Sequence, residues 1–225
     1  MILKSFGCSF IFGTELSDDA GPGGKPSELT WPALLSQQLG LEHHGRGQGG
    51  AGNLRILERV ISELSLGIPT LYVIGWTWID RFDYGNPTPT CMADEWGTIV
   101  PSDSSTTARA YYQHVQSDLH DKFTSLMCVK SAVDILTQHK QPFVMTYMDS
   151  LMMNTTWHAP HSVRFLQQLV QPYLCDFEGR TFLDWARYHG FEIGAGSHPL
   201  DAAHQAAVDV ILPRARLALD AGCGL

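Results

Sequence analysis

Met1-Ile2-Leu3-Lys4-Ser5-Phe6-Gly7-Cys8-Ser9-Phe10 opens the chain as a short apolar run that stops in a tight turn. Such a run reads as a buried strand, and a small residue before Ser9 lets the hydroxyl protrude above the sheet edge. By themselves these residues are equally a turn that happens to contain a serine. Working outward, Pro69–Gly75 (PTLYVIG) and Phe143–Tyr147 (FVMTY) are further apolar runs, as in strands buried on both faces. Helical segments separate them. Trp31 to Leu39 carries Pro32 in its first turn. Asn53 can cap a helix with Leu54, Leu57, Ile61 and Leu64 on one face. A long helix is expected from Tyr111, with Val115, Leu119, Phe123, Leu126, Lys130 and Val133 along a stripe. Ser162 to Val170 and Leu200 to Leu212 follow, the latter bent or ended by Pro213.

Strands alternating with helices imply an α/β fold, a parallel sheet covered on both faces. In such sheets the reactive groups lie beyond the carboxyl ends of the strands. That puts the Gly7–Ser9 turn, the Gly75–Asp80 segment and the loop after Tyr147 on one rim. Asp18 to Ser27 reads as loop. The span Tyr84 to Thr107, with Pro87, Pro89, Pro101 and a polar Ser102–Thr107 tract, lacks periodicity. It is expected to be a loop insertion, about 84–107, bordering the site as a lid or binding loop. Residues 1–225 are expected to form a single domain, with no internal repeat or linker.

Hydrophobic residues make up 44% of the 225 and charged residues 17%, a globular balance. The formal charge of −8, without a basic run, argues against nucleic acid as a partner. Cys8, Cys91, Cys128, Cys175 and Cys223 form no C-x-x-C pair, which fits a reducing compartment and suggests neither a zinc knuckle nor a disulfide framework. The strand begins at Ile2, leaving no room for a signal peptide, and no apolar run reaches membrane-spanning length. The expectation is a soluble, cytoplasmic protein or one packaged in a particle assembled inside a cell, with no membrane partner.

Two other stretches carry chemistry. Gly45-Arg46-Gly47-Gln48-Gly49-Gly50-Ala51-Gly52-Asn53 precedes a helix. Gly45, Gly47 and Gly50 match the dinucleotide fingerprint G-x-G-x-x-G, which belongs directly after the first strand with an acidic residue about 20 positions on. Here the first strand ends far upstream, and Thr70 stands where the acid belongs. The alternative is close backbone approach to a substrate, with an N–H aimed at a developing oxyanion. Gly194-Ala195-Gly196-Ser197-His198-Pro199 places a histidine, stiffened by Pro199, just before the last helix. That suits a general base, although an isolated loop histidine has no such duty.

In order and spacing these blocks resemble the SGNH/GDSL hydrolase superfamily along nearly the whole chain, in particular its small Gly-Cys-Ser-Phe members of bacterial and bacteriophage type. The resemblance implies a flavodoxin-like three-layer α/β/α fold. It implies that Ser9 is the nucleophile and His198 the base. Ser9, Gly50 and Thr77 would form the oxyanion hole, with the Asn53 amide as an alternative to Thr77. The chain departs from the family pattern where Cys8 replaces the Asp of G-D-S and Thr77 an oxyanion-binding Asn. Ala195 stands in place of the triad Asp, so Asp176, Asp184, Asp201 or a backbone carbonyl would have to orient His198. A second alignment reads Asp201-Ala202-Ala203-His204 as the acid–base pair.

Trp76, Trp78, Asp80 and Arg81, with Asp83, follow the third strand, where substrate contacts are expected; the tryptophans can equally pack under the long loop. His43-His44 and His158-Ala159-Pro160-His161 lack matching ligands and read as surface or structural histidines, so no metal is expected. The implied activity is cleavage of a small-molecule ester, such as an acetyl group on a carbohydrate, without a cofactor. An acyltransferase using the same serine, or a degenerate domain that binds without turnover, are the alternatives.

Overall fold

A computed structural model describes residues 1–21, 24–89 and 95–222. Five strands form one parallel sheet in the order β2-β1-β3-β6-β7, from β1 (Ile2–Gly7), β2 (Glu42–Gly45), β3 (Thr70–Trp76), β6 (Phe143–Tyr147) and β7 (Leu174–Cys175). Alternate residues of each strand face opposite layers. Phe6, Tyr72, Ile74, Trp76 and Met145 pack with α3 (Asn53–Ser65), α5 (Asp118–Gln138) and α6 (His161–Val170). Leu3, Leu71, Val73 and Val144 pack on the other side with α1 (Ser9–Phe12), α2 (Trp31–Leu39), α7 (Phe182–Tyr188) and α8 (Asp201–Ala221). This is the three-layer α/β/α arrangement.

The expected strands are present; β7 is an addition, and so is β2. Its sequence, Glu42-His43-His44-Gly45, has no apolar run because it is an edge strand that pairs only with β1. Three helical readings are corrected. In α3 the buried apolar residues are Ile56, Leu57, Val60 and Leu64, whereas Leu54 and Ile61 face outward. The helix expected from Tyr111 is two: α4 (Thr106–His114), then α5, whose N-terminus is capped by the Ser117 side chain. The break leaves Val115, Leu119 and Phe123 exposed and turns Lys122, Ser125 and Val129 inward. Pro213 does not end α8, which runs on to Ala221 with Ala215 and Ala218 buried.

The span read as an irregular insertion is also corrected. Phe82–Gly85 (β4) and Trp96–Ile99 (β5) form an antiparallel hairpin, and α4 starts at Thr106 behind the Ser105 cap. Ile99, Ala108 and Tyr111 give it a small core of its own. Residues 90–94, Cys91 among them, lie outside the described residues.

Candidate active site

Ser9 owes its position to two glycines. Helix α1 lies across the ends of β1 and β3 with Ile11 pressed onto the backbone there. A Cβ on Gly7 would stand 2.4 Å from Ile11 Cγ1, and one on Gly75 would stand 2.8 Å from the same atom. Side chains at either place would lift α1 and carry Ser9 with it. Cys8, at the N-cap, is fully enclosed in the α2/α8 layer, whereas Ser9 keeps 9% of its surface.

His198 arrives from the far end of the chain on a tight turn. Gly194 N–H donates to the His198 carbonyl (2.8 Å), Ser197 N–H to Gly194 (2.9 Å), and Ser197 adopts φ +67°. The Phe10 ring packs on the imidazole at 4.9 Å. His198 Nε2 lies 2.8 Å from Ser9 Oγ, and His198 Nδ1 lies 2.6 Å from Glu15 Oε2. A carboxylate can only accept, so Nδ1 carries the proton and Nε2 receives the Ser9 hydroxyl. Ser9, His198 and Glu15 therefore form a continuous hydrogen-bonded chain.

Glu15 was not among the sequence candidates for the acid, and it displaces all of them. Asp176 accepts from Gly179 N–H, Asp184 pairs with Thr181, and Asp201 accepts from the N–H and hydroxyl of Ser17. Glu15 occupies a left-handed backbone position (φ +70°), and its N–H is held by Asp19 at 2.9 Å. Its carboxylate accepts Gly196 N–H at 2.9 and 3.0 Å. A Cβ on Gly194 or Gly196 would come within 2.7 or 2.8 Å of Glu15 Oε2, so these glycines permit the approach. Gly196 N–H first, then His198, hold the Glu15 carboxyl below its usual range.

The Asp201–His204 alternative is also corrected. His204 is 1% exposed, and its Nδ1 accepts the N–H of Trp31 at the start of α2. Burial lowers its pKa to about 3, so it is a neutral capping group.

The glycine-rich loop follows edge strand β2 and lies against α1. A Cβ on Gly47 would meet Phe12 N at 2.7 Å, and Gln48 N–H donates to Gly7 at 2.9 Å. Gly50, exposed at φ +78°, sits further along this loop. Among the described residues no protein acceptor takes the N–H of Ser9 or Gly50. The hairpin anchors the loop's end. Asp83 accepts Gly52 N–H (3.0 Å), Arg55 N–H (2.9 Å) and the Thr98 hydroxyl (2.5 Å). Arg81 donates to the Ala51 carbonyl at 3.0 Å.

The other sequence candidates divide. Trp76 is 0% exposed in the α3/α5 layer, so it is a core residue and not a substrate contact. Thr77 is equally enclosed; its N–H donates to Asn53 Oδ1 (2.8 Å), and its hydroxyl has no hydrogen-bond partner among the described residues. The Asn53 amide is spent on the Thr77 carbonyl (3.3 Å) and Ser125 (3.0 Å), so it braces α3 against β3 and is not free for an oxyanion. Trp78 lies at the site edge, 5.3 Å from Phe10, with the Arg81 guanidinium 4.9 Å above its ring. Asp80 is half-buried, and burial with Asp149 nearby raises its carboxyl. A cavity of about 500 Å³ is lined by Phe12, Thr14, Asp19 and Gly49, next to the turn that carries Glu15.

Of the remaining histidines, half-buried His43 is hydrogen-bonded to Ser5 (2.9 Å), and His158 pairs with Asp118 (3.4 Å). Among the described residues no group of three or more His, Cys, Asp or Glu converges on a metal position. None of the described helices is long and apolar enough to cross a membrane.

No family model and no curated protein sequence matches the chain. Solved structures do. A psychrotrophic esterase from Pseudoalteromonas sp., inhibited by monoethylphosphonate, superposes at a TM-score of 0.56 with 12% identity, covering 97% of this chain and 98% of that one. The fold is that of the SGNH hydrolases. A G-D-S-L lipolytic family member from Veillonella parvula gives 0.52 with 13% identity over 95% and 97%. A carbohydrate esterase family 2 enzyme with a carbohydrate-binding domain, from Corynascus thermopiles, gives 0.55 with 14% identity over 97% of this chain and 66% of that one. At these identities the likeness speaks for the SGNH fold, and the chemistry rests on the side chains.

Proposed function

We propose that the protein is a serine ester hydrolase of SGNH type in which Ser9, His198 and Glu15 form the catalytic triad. The observation that carries this reading is the pair of contacts on one imidazole, Ser9 Oγ at 2.8 Å and Glu15 Oε2 at 2.6 Å. Ser9 Oγ attacks the ester carbonyl as its proton passes to His198 Nε2. Glu15 stabilises the imidazolium and fixes its tautomer. The N–H groups of Ser9 and Gly50 receive the oxyanion. Collapse breaks the C–O bond, and His198 Nε2–H protonates the departing alcohol. Water, deprotonated by the same nitrogen, then attacks the acyl carbon, and that proton returns to Ser9 Oγ as the acid leaves.

The substrate proposed is a small O-acyl ester, with acetyl on a carbohydrate as the first choice. The polar lining of the cavity at Thr14, Asp19 and Gly49, next to the Glu15 turn, suits a polar alcohol, and the stacked Trp78–Arg81 pair offers a flat face. A complete acid–base–nucleophile chain favours turnover over a domain that only binds. A fluorophosphonate probe should label wild-type protein on Ser9 and leave Ser9→Ala unlabelled, with loss of acetate release from acetyl esters. Equal labelling of Ser9→Ala defeats the assignment.

A further inference from the structure

A second cavity, about 430 Å³, adjoins the one at Thr14, Asp19 and Gly49, and the two share Phe12, Gly24 and Gln48 as walls. Phe12 lies one turn after Ser9 on α1, so the shared wall is about 5 Å along the helix from the nucleophile at 1.5 Å per residue. The far side of this second cavity is built from Arg46, Glu58, Arg59 and Glu63.

The two arginines and two glutamates there are unevenly paired. Glu63 already holds Lys4 (2.6 Å) and Arg46 (2.5 Å). The Arg59 guanidinium donates to two neutral oxygens, the Arg46 carbonyl (2.8 Å) and the side-chain carbonyl of Gln48. Burial first, then the repulsion of Arg55 and Arg46, disfavour its charge more than Glu58 favours it. Among the described residues the cavity lining thus holds Arg59 without a carboxylate hydrogen-bonded to its guanidinium, while Glu63 is shared by two other cations. A half-buried guanidinium served by neutral acceptors is a costly arrangement that an incoming anion relieves.

We propose that Arg59 is an anion-recognition residue and that the alcohol part of the substrate carries a carboxylate or phosphate group, seated in this second cavity. The proposal rests on the ester-hydrolase reading, because it takes Ser9, one helical turn from the shared Phe12 wall, as the reacting residue. An anion at Arg59 with the ester at Ser9 requires an alcohol that spans both cavities, such as an acidic sugar.

The test is direct binding by titration calorimetry with three probes: digalacturonate, glucose 6-phosphate and the uncharged disaccharide lactose. A hydrogen-bonded ion pair is worth about 1.5–3 kcal/mol, so at least one anion should bind roughly 10- to 100-fold more tightly than lactose. Which anion does so distinguishes a carboxylated from a phosphorylated substrate. Arg59→Gln should bring that ratio to about one, and Arg59→Lys should restore part of it. Because each ratio is taken within one protein, a general disturbance of the neighbouring loop cancels. Neither anion surpassing lactose, or a preference that survives Arg59→Gln, overturns the proposal. Failure of the underlying reading shows separately, as 4-nitrophenyl acetate turnover that does not depend on Ser9.

Discussion

Glu15→Gln and Glu15→Ala should differ in an informative direction. At 2.6 Å from His198 Nδ1, a carboxylate facing an imidazolium is worth about 6 kcal/mol at an effective dielectric constant of about 20. The Glu15 side chain is 27% exposed, and solvent screening of a partly open pair removes roughly half of that. About 3 kcal/mol remains, or roughly 10²-fold in kcat for Glu15→Ala at about 1.4 kcal/mol per tenfold. Glutamine should do worse. Gly196 N–H, which donates to the carboxylate, will hold the amide's carbonyl oxygen and turn its NH₂ toward His198. An NH₂ donor at Nδ1 favours the tautomer with the proton on Nε2, which cannot accept from Ser9. Asparagine at the equivalent acid of a serine protease costs about 10⁴-fold for this reason, and a loss of that order is expected here. The assay is kcat for 4-nitrophenyl acetate, with calorimetric melting to show that the fold persists and imidazole nitrogen shifts to read the tautomer. Glu15→Gln within tenfold of wild type, or Asp201→Asn inactive while Glu15→Gln works, refutes the assignment.

Other outcomes follow from the same geometry. Ser9→Ala should abolish turnover, whereas Cys8→Ala, which alters an enclosed thiol, should retain a measurable fraction; the reverse pattern in steady-state assays removes Ser9 from its role. His198→Ala should lower kcat by about 10²–10⁴-fold, whereas His204→Ala should mainly lower the melting temperature by uncapping α2 and opening a cavity. The folded pKa of His204 is depressed to about 3, so its neutral form stabilises the protein fully above the unfolded value. That stability is lost as pH falls from about 6.5 towards 3, at up to about 1.4 kcal/mol per pH unit. Melting curves of His204→Asn should show a flatter dependence across that window, and an unchanged slope argues against the buried neutral state. Asp83→Ala strips three donors of their acceptor and should cost about 2–4 kcal/mol, seen as a lower melting temperature. By loosening the Gly50 loop it should also reduce kcat more than it raises KM.

The sequence by itself determined the alternation of buried strands and helices, because strands covered on both faces need continuous apolar runs such as Thr70–Trp76. It also determined the two ends of the site. Ser9 follows a strand and a glycine, and His198 is fixed by a following proline; both are local patterns. Glu15 left no such trace. It is an ordinary polar residue in a turn, and only chain closure brings it to a histidine whose loop has glycines at 194 and 196 to admit it. The spacing of those two glycines beside His198 was the available hint, a sign that something approaches the backbone there, though not of what approaches. Tertiary packing likewise decided which face of α3 is buried, since Ile56 and Val60 fit the helical period as well as Leu54 and Ile61 do. It turned Trp76 and Asn53 into structural residues because the α3/α5 layer closes over the end of β3. It also folded the span 84–107 around a hairpin held by Asp83, an interaction that spans 31 residues from Gly52. Periodicity reports which residues seek burial, whereas the partners of a charged side chain depend on which distant backbone N–H groups the fold leaves unpaired.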